Sequence, residues 1–337
     1  ILKLSKKGEL MEKGKLNRIS DVAGVTVGHC TLQTDTLQTG VTVLLPRPSV
    51  FKKKCPAACH VINGFGKTSG LVQIEEMGTL ESPIALTNTL SVGTVQQALV
   101  QYMLSIDKTI GKETGTVNVV VGECNDGYLN DIRACAITQQ HVFEAIQNAN
   151  IIFEQGSVGA GSGMSCFEMK GGIGSGSRIV TLNQKDYTIG ILVLSNFGLM
   201  KDFIPFHQEC SSDILEQGSI IMVIATDIPM SSRQLKRVCK RMSVPLSRLG
   251  SHLGNGSGDI AIAFSTAQVI PHQYHQDFLT IQEIHENCID FVFRAAIDAG
   301  EEAIMNSLLY SKTCIGRDQH IRYSLKDMMK NKYNGGE

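Results

Sequence analysis

Five stretches of the chain are apolar at nearly every position: Gly40–Leu45, Thr116–Val121, Ile189–Ser195, Ser219–Thr226 and Gly258–Ser265. Each is short and rich in Val and Ile. A half-exposed strand would alternate between apolar and polar residues. An unbroken run of strand length predicts a strand covered on both faces. Helical patterns lie between these runs. Val92–Leu104 is one, and Ile132–Asn148 carries Val142, Ala145 and Ile146 on one stripe. Ser231–Met242 opens on a Ser-Ser cap and closes on basic residues, both of which suit the helix dipole. The last helix is expected from about His285 to Leu309. Strands and helices mixed in this way predict layered α/β architecture, with the strand order left open.

A length of 337 residues allows one large domain or two ordinary ones, with ample core. No internal repeat or low-complexity linker divides the chain. Hydrophobic residues at 42% and charged residues at 19% describe a folded soluble chain. Lys and Arg number 31 against 32 Asp and Glu, giving a net charge of -1 with no basic block, so nucleic acid is not an expected partner. No apolar run approaches the ~18 residues of a membrane span. The first fifteen residues lack the apolar core of a secretory signal. The chain starts on Ile1 rather than Met, which leaves room for upstream residues. Ten cysteines are scattered without framework spacing, including Cys210 and Cys314. Reduced thiols in a cytoplasmic protein are the expectation. Cys55, Cys59 and His60 stand close in sequence, but no second pair follows at zinc spacing, so no metal is expected.

Several segments could carry chemistry. Arg248 to Asp259 reads RLGSHLGNGSGD, small residues after a basic helix and before an apolar strand. Gly250 leaves its own carbonyl sterically open to the hydroxyl of Ser251. Attack there would turn the peptide into an ester, and water would release a new N-terminus at Ser251. A free α-amine titrates near ~7.7–8.0, which suits a general base beside its own hydroxyl. A plain glycine-rich turn is the competing reading. At a strand end, the Asn196 amide could donate to a developing oxyanion, or simply satisfy its own turn. Glu301 shares a helix stripe with Ile297, Ile304 and Leu308, whereas Glu302 shares one with Asp298 and Asn306. A carboxylate on the apolar stripe must be paired or functional, so Glu301 is the acid expected in a buried role. Glu123 and Asn125 lie in a polar cluster, Glu123 to Asp131, that could hold a substrate ammonium or merely cap the next helix. Gly156–Arg178 holds eight glycines without a phosphate-loop signature, and close backbone packing or a scaffold for self-cleavage is the better expectation. Neither GxSxG nor HExxH is present, so a histidine triad has no support.

Taken in order, these segments resemble the L-aminopeptidase/D-esterase and β-peptidyl aminopeptidase family. The resemblance begins at Asn17–His29 and passes through Thr39–Val43, Glu81–Gly93 and the Glu123 cluster. It continues through Gly159–Met164, Lys170–Gly174, Ser195–Gly198 and Ala225–Asp227. It ends at Gly250-Ser251, Asn255–Asp259 and Glu301–Ile304.

The resemblance implies a four-layer αββα sandwich, similar to N-terminal-nucleophile hydrolases but differently connected. It implies one catalytic domain, cut between Gly250 and Ser251 into residues 1–250 and 251–337. It further implies a homotetramer of such heterodimers and no cofactor. By position, Ser251 looks like the nucleophile, Asn196 like the oxyanion donor, Glu301 like the acid around the serine, and Glu123 like the contact for the substrate amine. Two departures stand out. Ala299 occupies a place where the family pattern has Ser, and Asn125 one where some members carry an aromatic residue, which bears on substrate preference. The implied activity is release of N-terminal residues, of L-, D- or β-type, from short peptides, amides or esters. The rival readings are a hydrolase of synthetic oligoamides, an acetyl transferase, and an uncleaved scaffold without activity. The first two are expected to use Thr where this chain has Ser251.

Overall fold

The computed structural model describes residues 11–205 and 217–334, so Cys210 lies outside the described residues. Nine principal strands form two sheets. The smaller contains β1 (Thr26–Gln33), β2 (Gln38–Leu45), β4 (Ile84–Asn88) and β5 (Val120–Cys124), in the order β1-β2-β4-β5. The larger contains β3 (Lys53–Gly64), β6 (Gly172–Leu182), β7 (Lys185–Asn196), β8 (Gln217–Thr226) and β9 (Gly256–Ser265), in the order β3-β9-β8-β7-β6. Neighbours run antiparallel except for the pairs β4/β5 and β8/β9.

Three apolar clusters show why both faces of these strands are buried. In β7, β8 and β9, Leu192, Leu194, Ile221, Val223, Ile260 and Ile262 pack against the small sheet. The alternate residues Ile191, Val193, Met222, Ile224, Ala261 and Ala263 pack against helices. These are α4 (Ser232–Cys239), α5 (Ser243–Leu249) and α6 (Ile289–Leu309). On the other side, Val41, Val43, Ala85 and Val121 meet α2 (Val92–Ile106) and α3 (Gln139–Gln147). Three packed interfaces make four layers, α-β-β-α, as the resemblance implied.

The last part of the glycine run, from Gly172, enters β6, whose face receives α6 at backbone contact. A Cβ on Gly174 would stand 1.9 Å from the carbonyl oxygen of Ala303. Close packing therefore accounts for this glycine, as expected.

Two expected elements shift. The strand expected at Thr116–Val121 begins at Val120, because Glu81 takes the Asn118 backbone N–H at 2.8 Å and removes it from any ladder. It continues to Cys124, where Glu123 and Cys124 pair with Thr87 and Asn88. The helix expected from Ile132 begins only at Gln139. Cys135 sits at φ 46°, which interrupts the helical path, and Thr138 with His141 forms a new cap. On β3, Cys55 and Cys59 face the inter-sheet core while His60 points to the other face. Alternation thus separates that trio. Burial raises both thiols to about 11. Among the described residues no helix is long and apolar enough to cross a membrane.

Candidate active site

One cavity of about 820 Å³ opens where β5, β7, β8 and β9 meet their loops; Glu123, Asn125, Asn196, Ser165, Gly256 and Arg322 are among the residues lining it. Glu123 is the last residue but one of β5 and is almost wholly buried. Its Oε1 accepts the Lys67 backbone N–H at 2.8 Å, and its Oε2 accepts the Thr89 hydroxyl. Each carboxylate oxygen keeps lone-pair capacity for a ligand N–H.

Asn196 is the last residue of β7, a strand paired on both sides. Its Oδ1 accepts the Ser165 backbone N–H at 2.8 Å, and its Nδ2 donates to the Asn125 carbonyl at 3.0 Å. Both ends of the amide are fixed, and one hydrogen on Nδ2 remains for an oxyanion. Asn125 contributes mainly backbone. Its side chain turns away to accept the Gly127 N–H at 2.9 Å.

Ser251 follows α5. Gly250 adopts φ 112° and closes the helix, with its N–H on the Ser247 carbonyl and the Ser251 N–H on the Leu246 carbonyl, each at 3.1 Å. This pair of bonds is a Schellman cap. A Cβ at Gly250 would stand 1.7 Å from the Asp202 carbonyl oxygen, so only glycine fits. The Ser251 side chain is buried, and its hydroxyl oxygen accepts the Leu253 N–H at 3.1 Å. Ser251 is not among the residues lining the cavity. The same turn reaches the cavity at Gly256.

Glu301 takes a different place from the buried one expected. Its carboxylate is 27% exposed and accepts Arg248 Nη1 at 3.1 Å. Arg248 stands two residues before Gly250, so Glu301 touches the helix that carries the Gly-Ser bond. Glu302 is the more heavily bound neighbour. It takes Arg178 at 2.7 Å, Asn17 at 2.9 Å and Lys13. Burial raises the Glu302 carboxyl, but the Lys13 and Arg178 contacts outweigh it and leave it below the usual range. The stripe argument missed this because Arg178 reaches it from β6, outside the helix. Ala299, two residues before Glu301, is buried in the helix-sheet core.

Sequence reasoning missed several lining residues, among them Lys67, Ser165 and Arg322. Arg322 carried no signal, because one basic residue in a polar segment looks like solvated surface. Among the described residues no group of three or more His, Cys, Asp or Glu side chains could hold a metal ion.

A four-layer sandwich with a cavity at its strand ends that holds Glu123 and Asn196 is the N-terminal-nucleophile-type aminopeptidase fold. The family model for Peptidase family S58 matches residues 17–322, and the chain belongs to that family. It is 36% identical to the β-peptidyl aminopeptidase BapA of Sphingosinicella microcystinivorans, over 90% of this chain and 84% of that protein. Among solved structures, the PH0078 protein of Pyrococcus horikoshii OT3 matches with TM-score 0.91 and 47% identity, covering 98% of each chain. The L-aminopeptidase D-Ala-esterase/amidase of Ochrobactrum anthropi, titled a prototype for the serine aminopeptidases, matches with TM-score 0.88 and 31% identity, covering 97% of each chain.

Proposed function

We propose that this protein is a self-processing serine aminopeptidase that removes N-terminal residues from short peptides, amides or esters. The observation that carries the reading is the cavity itself, where a buried carboxylate, Glu123, and a fixed amide donor, Asn196, share the lining with Gly256, a few residues after Ser251 in the chain.

In processing, the Ser251 hydroxyl attacks the Gly250 carbonyl carbon. The C–N bond breaks, nitrogen takes up the hydroxyl proton, and an ester forms. Water then hydrolyses the ester and leaves Ser251 as a free N-terminus. The Schellman bond on the Ser251 N–H no longer constrains the turn, and the serine can approach the cavity at Gly256. Strand β9 lies between β3 and β8, so residues 251–337 remain clamped in the sheet after the cut.

In turnover, the freed amine takes the Ser251 hydroxyl proton as the oxygen attacks the substrate carbonyl. Asn196 donates to the tetrahedral oxyanion. The amine returns the proton to the leaving nitrogen, the C–N bond breaks, and water later releases the acyl group. Glu123 holds the substrate ammonium. Glu301, through Arg248, ties the fragment that carries Ser251 to the helix that ends at the cleaved Gly250. The protein acts in the cytoplasm, as a homotetramer of cleaved heterodimers.

The test is intact mass of freshly purified protein beside a Ser251→Ala variant. Two fragments meeting at Gly250/Ser251, with the variant intact, are expected. One stable full-length chain in both would remove self-processing and favour the uncleaved scaffold.

A further inference from the structure

Three hydrogen bonds string the cavity wall into a line. Asn125, two residues beyond Glu123, takes Asn196 Nδ2 on its carbonyl at 3.0 Å. Asn196 Oδ1 takes the Ser165 N–H at 2.8 Å. Ser165 Oγ takes Arg322 Nε at 3.1 Å. The wall therefore runs from a carboxylate, through an amide donor, to a guanidinium.

Arg322 is held in place without a direct ion pair, with the Glu168 carboxylate acting on it only from a distance. Its guanidinium carbon lies 3.7 Å from the Tyr128 ring centroid, and that ring stacks on His320 at 4.6 Å. Among the described residues, neither Nη atom has a hydrogen-bond partner and no carboxylate lies within ion-pair distance. Glu168 also lines the cavity, but its Oε2 accepts the Met200 N–H at 3.0 Å. A half-buried guanidinium fixed by its Nε and its ring face leaves its two-pronged edge for an external anion. The cavity's other cation, Lys67, is exposed and lies over Phe65 at 4.5 Å.

We infer that Arg322 binds the free C-terminal carboxylate of the substrate, so the site selects dipeptide acids over the corresponding amides and esters. The inference rests on the aminopeptidase reading above. A dipeptide follows the wall in order: ammonium on Glu123, scissile carbonyl oxygen on Asn196, carboxylate on Arg322. Longer peptides would place a neutral peptide group where the carboxylate belongs.

The experiment compares alanyl-alanine and β-alanyl-alanine as free acids and as C-terminal amides. kcat/KM is measured for wild type, Arg322→Gln and Arg322→Lys. Binding of the same four compounds is measured calorimetrically on Ser251→Ala, which cannot turn them over. Wild type is expected to favour acids by about 10- to 100-fold, the worth of a charge-assisted hydrogen bond. Arg322→Gln should bring that ratio within about threefold of unity while sparing amide turnover, and Arg322→Lys should restore part of it. An equal loss on acids and amides in Arg322→Gln would show a purely structural role and overturn the inference. So would the absence of any acid preference in wild type, a result that needs no variant to fold. Acid-selective binding to Ser251→Ala together with no turnover of any of the four compounds by wild type would sustain the carboxylate site while the aminopeptidase reading fails.

Discussion

Asn196 ends a twelve-residue strand paired on both sides, whereas Ser251 follows a seven-residue helix and a glycine in left-handed conformation. The first region presents a side chain whose two amide atoms are both hydrogen-bonded. The second presents a peptide bond held by a helix cap and a backbone close approach. Rigid groups suit charge that develops in a transition state, because they need no reorganisation. Under the proposed self-processing, the bond to be cut lies outside both sheets, after a short helix, so its cleavage leaves the ladders intact. The same division appears between Glu302, paired with Arg178 of β6, and Glu301, paired with Arg248 of the helix that ends at Gly250.

The largest expected effect tests the rigid wall. Asn196→Ala should lower kcat by about 10²–10³, the usual loss for an oxyanion donor, with KM little changed. Asn196→Asp is the sharper variant, since it keeps the acceptor for the Ser165 N–H and replaces the donor with an anion. If both variants retained wild-type kcat, Asn196 would be a strand terminator and nothing more.

Next comes the pair of adjacent acids. Glu302→Ala leaves Arg178, which is 4% exposed, without its carboxylate. Removing one partner of a buried pair costs about 3–5 kcal/mol, and the 20% exposure of Glu302 places this case toward the low end. Thermal unfolding should show it. Glu301→Gln loses only a half-exposed pair, worth at most about 1 kcal/mol of stability. Its expected effect falls on the rate of chain cleavage and on kcat. A stability loss for Glu301→Gln equal to that of Glu302→Ala would erase the contrast between them.

How much of this was legible differs by physical cause. The buried strands were readable because β7, β8 and β9 put apolar residues on both faces, which leaves a continuous run. β3 was not, since Pro56 and the flanking Lys53 and Lys54 blur its pattern. The limits of β5 and α3 were set by Glu81 and Cys135, both tertiary or conformational details without a periodic signal. Glu123 and Asn196 stand at strand ends, a position that strand patterning does reveal. Arg322 joins them only through Ser165, a contact spanning 157 positions, and no local pattern encodes that.

The smallest expected effect concerns the far edge of the small sheet from Glu123. His29 on β1 is held as a neutral ring: its Nε2–H donates to the Glu154 carbonyl at 3.0 Å, and its Nδ1 accepts the Thr42 hydroxyl at 2.9 Å. The Glu154 carbonyl can only accept, so Nε2 carries the proton and the neutral ring leaves Nδ1 as the acceptor; Thr42 also accepts the Ala160 N–H at 3.2 Å. Burial lowers the His29 pKa to about 4, with the Glu154 carbonyl opposing the shift. An unfolded chain would bind this proton near ~6.5. Below that pH the unfolded state holds the extra proton, so stability falls as pH drops from about 6.5 toward about 4 and is complete above 6.5. One proton gives a slope of at most about 1.4 kcal/mol per pH unit within that window. Urea midpoints at pH 7.0, 6.0 and 5.0 should decline accordingly, and His29→Gln should flatten the decline even if it starts lower. An unchanged slope in His29→Gln would assign the acid sensitivity to other groups and leave the small sheet uninvolved.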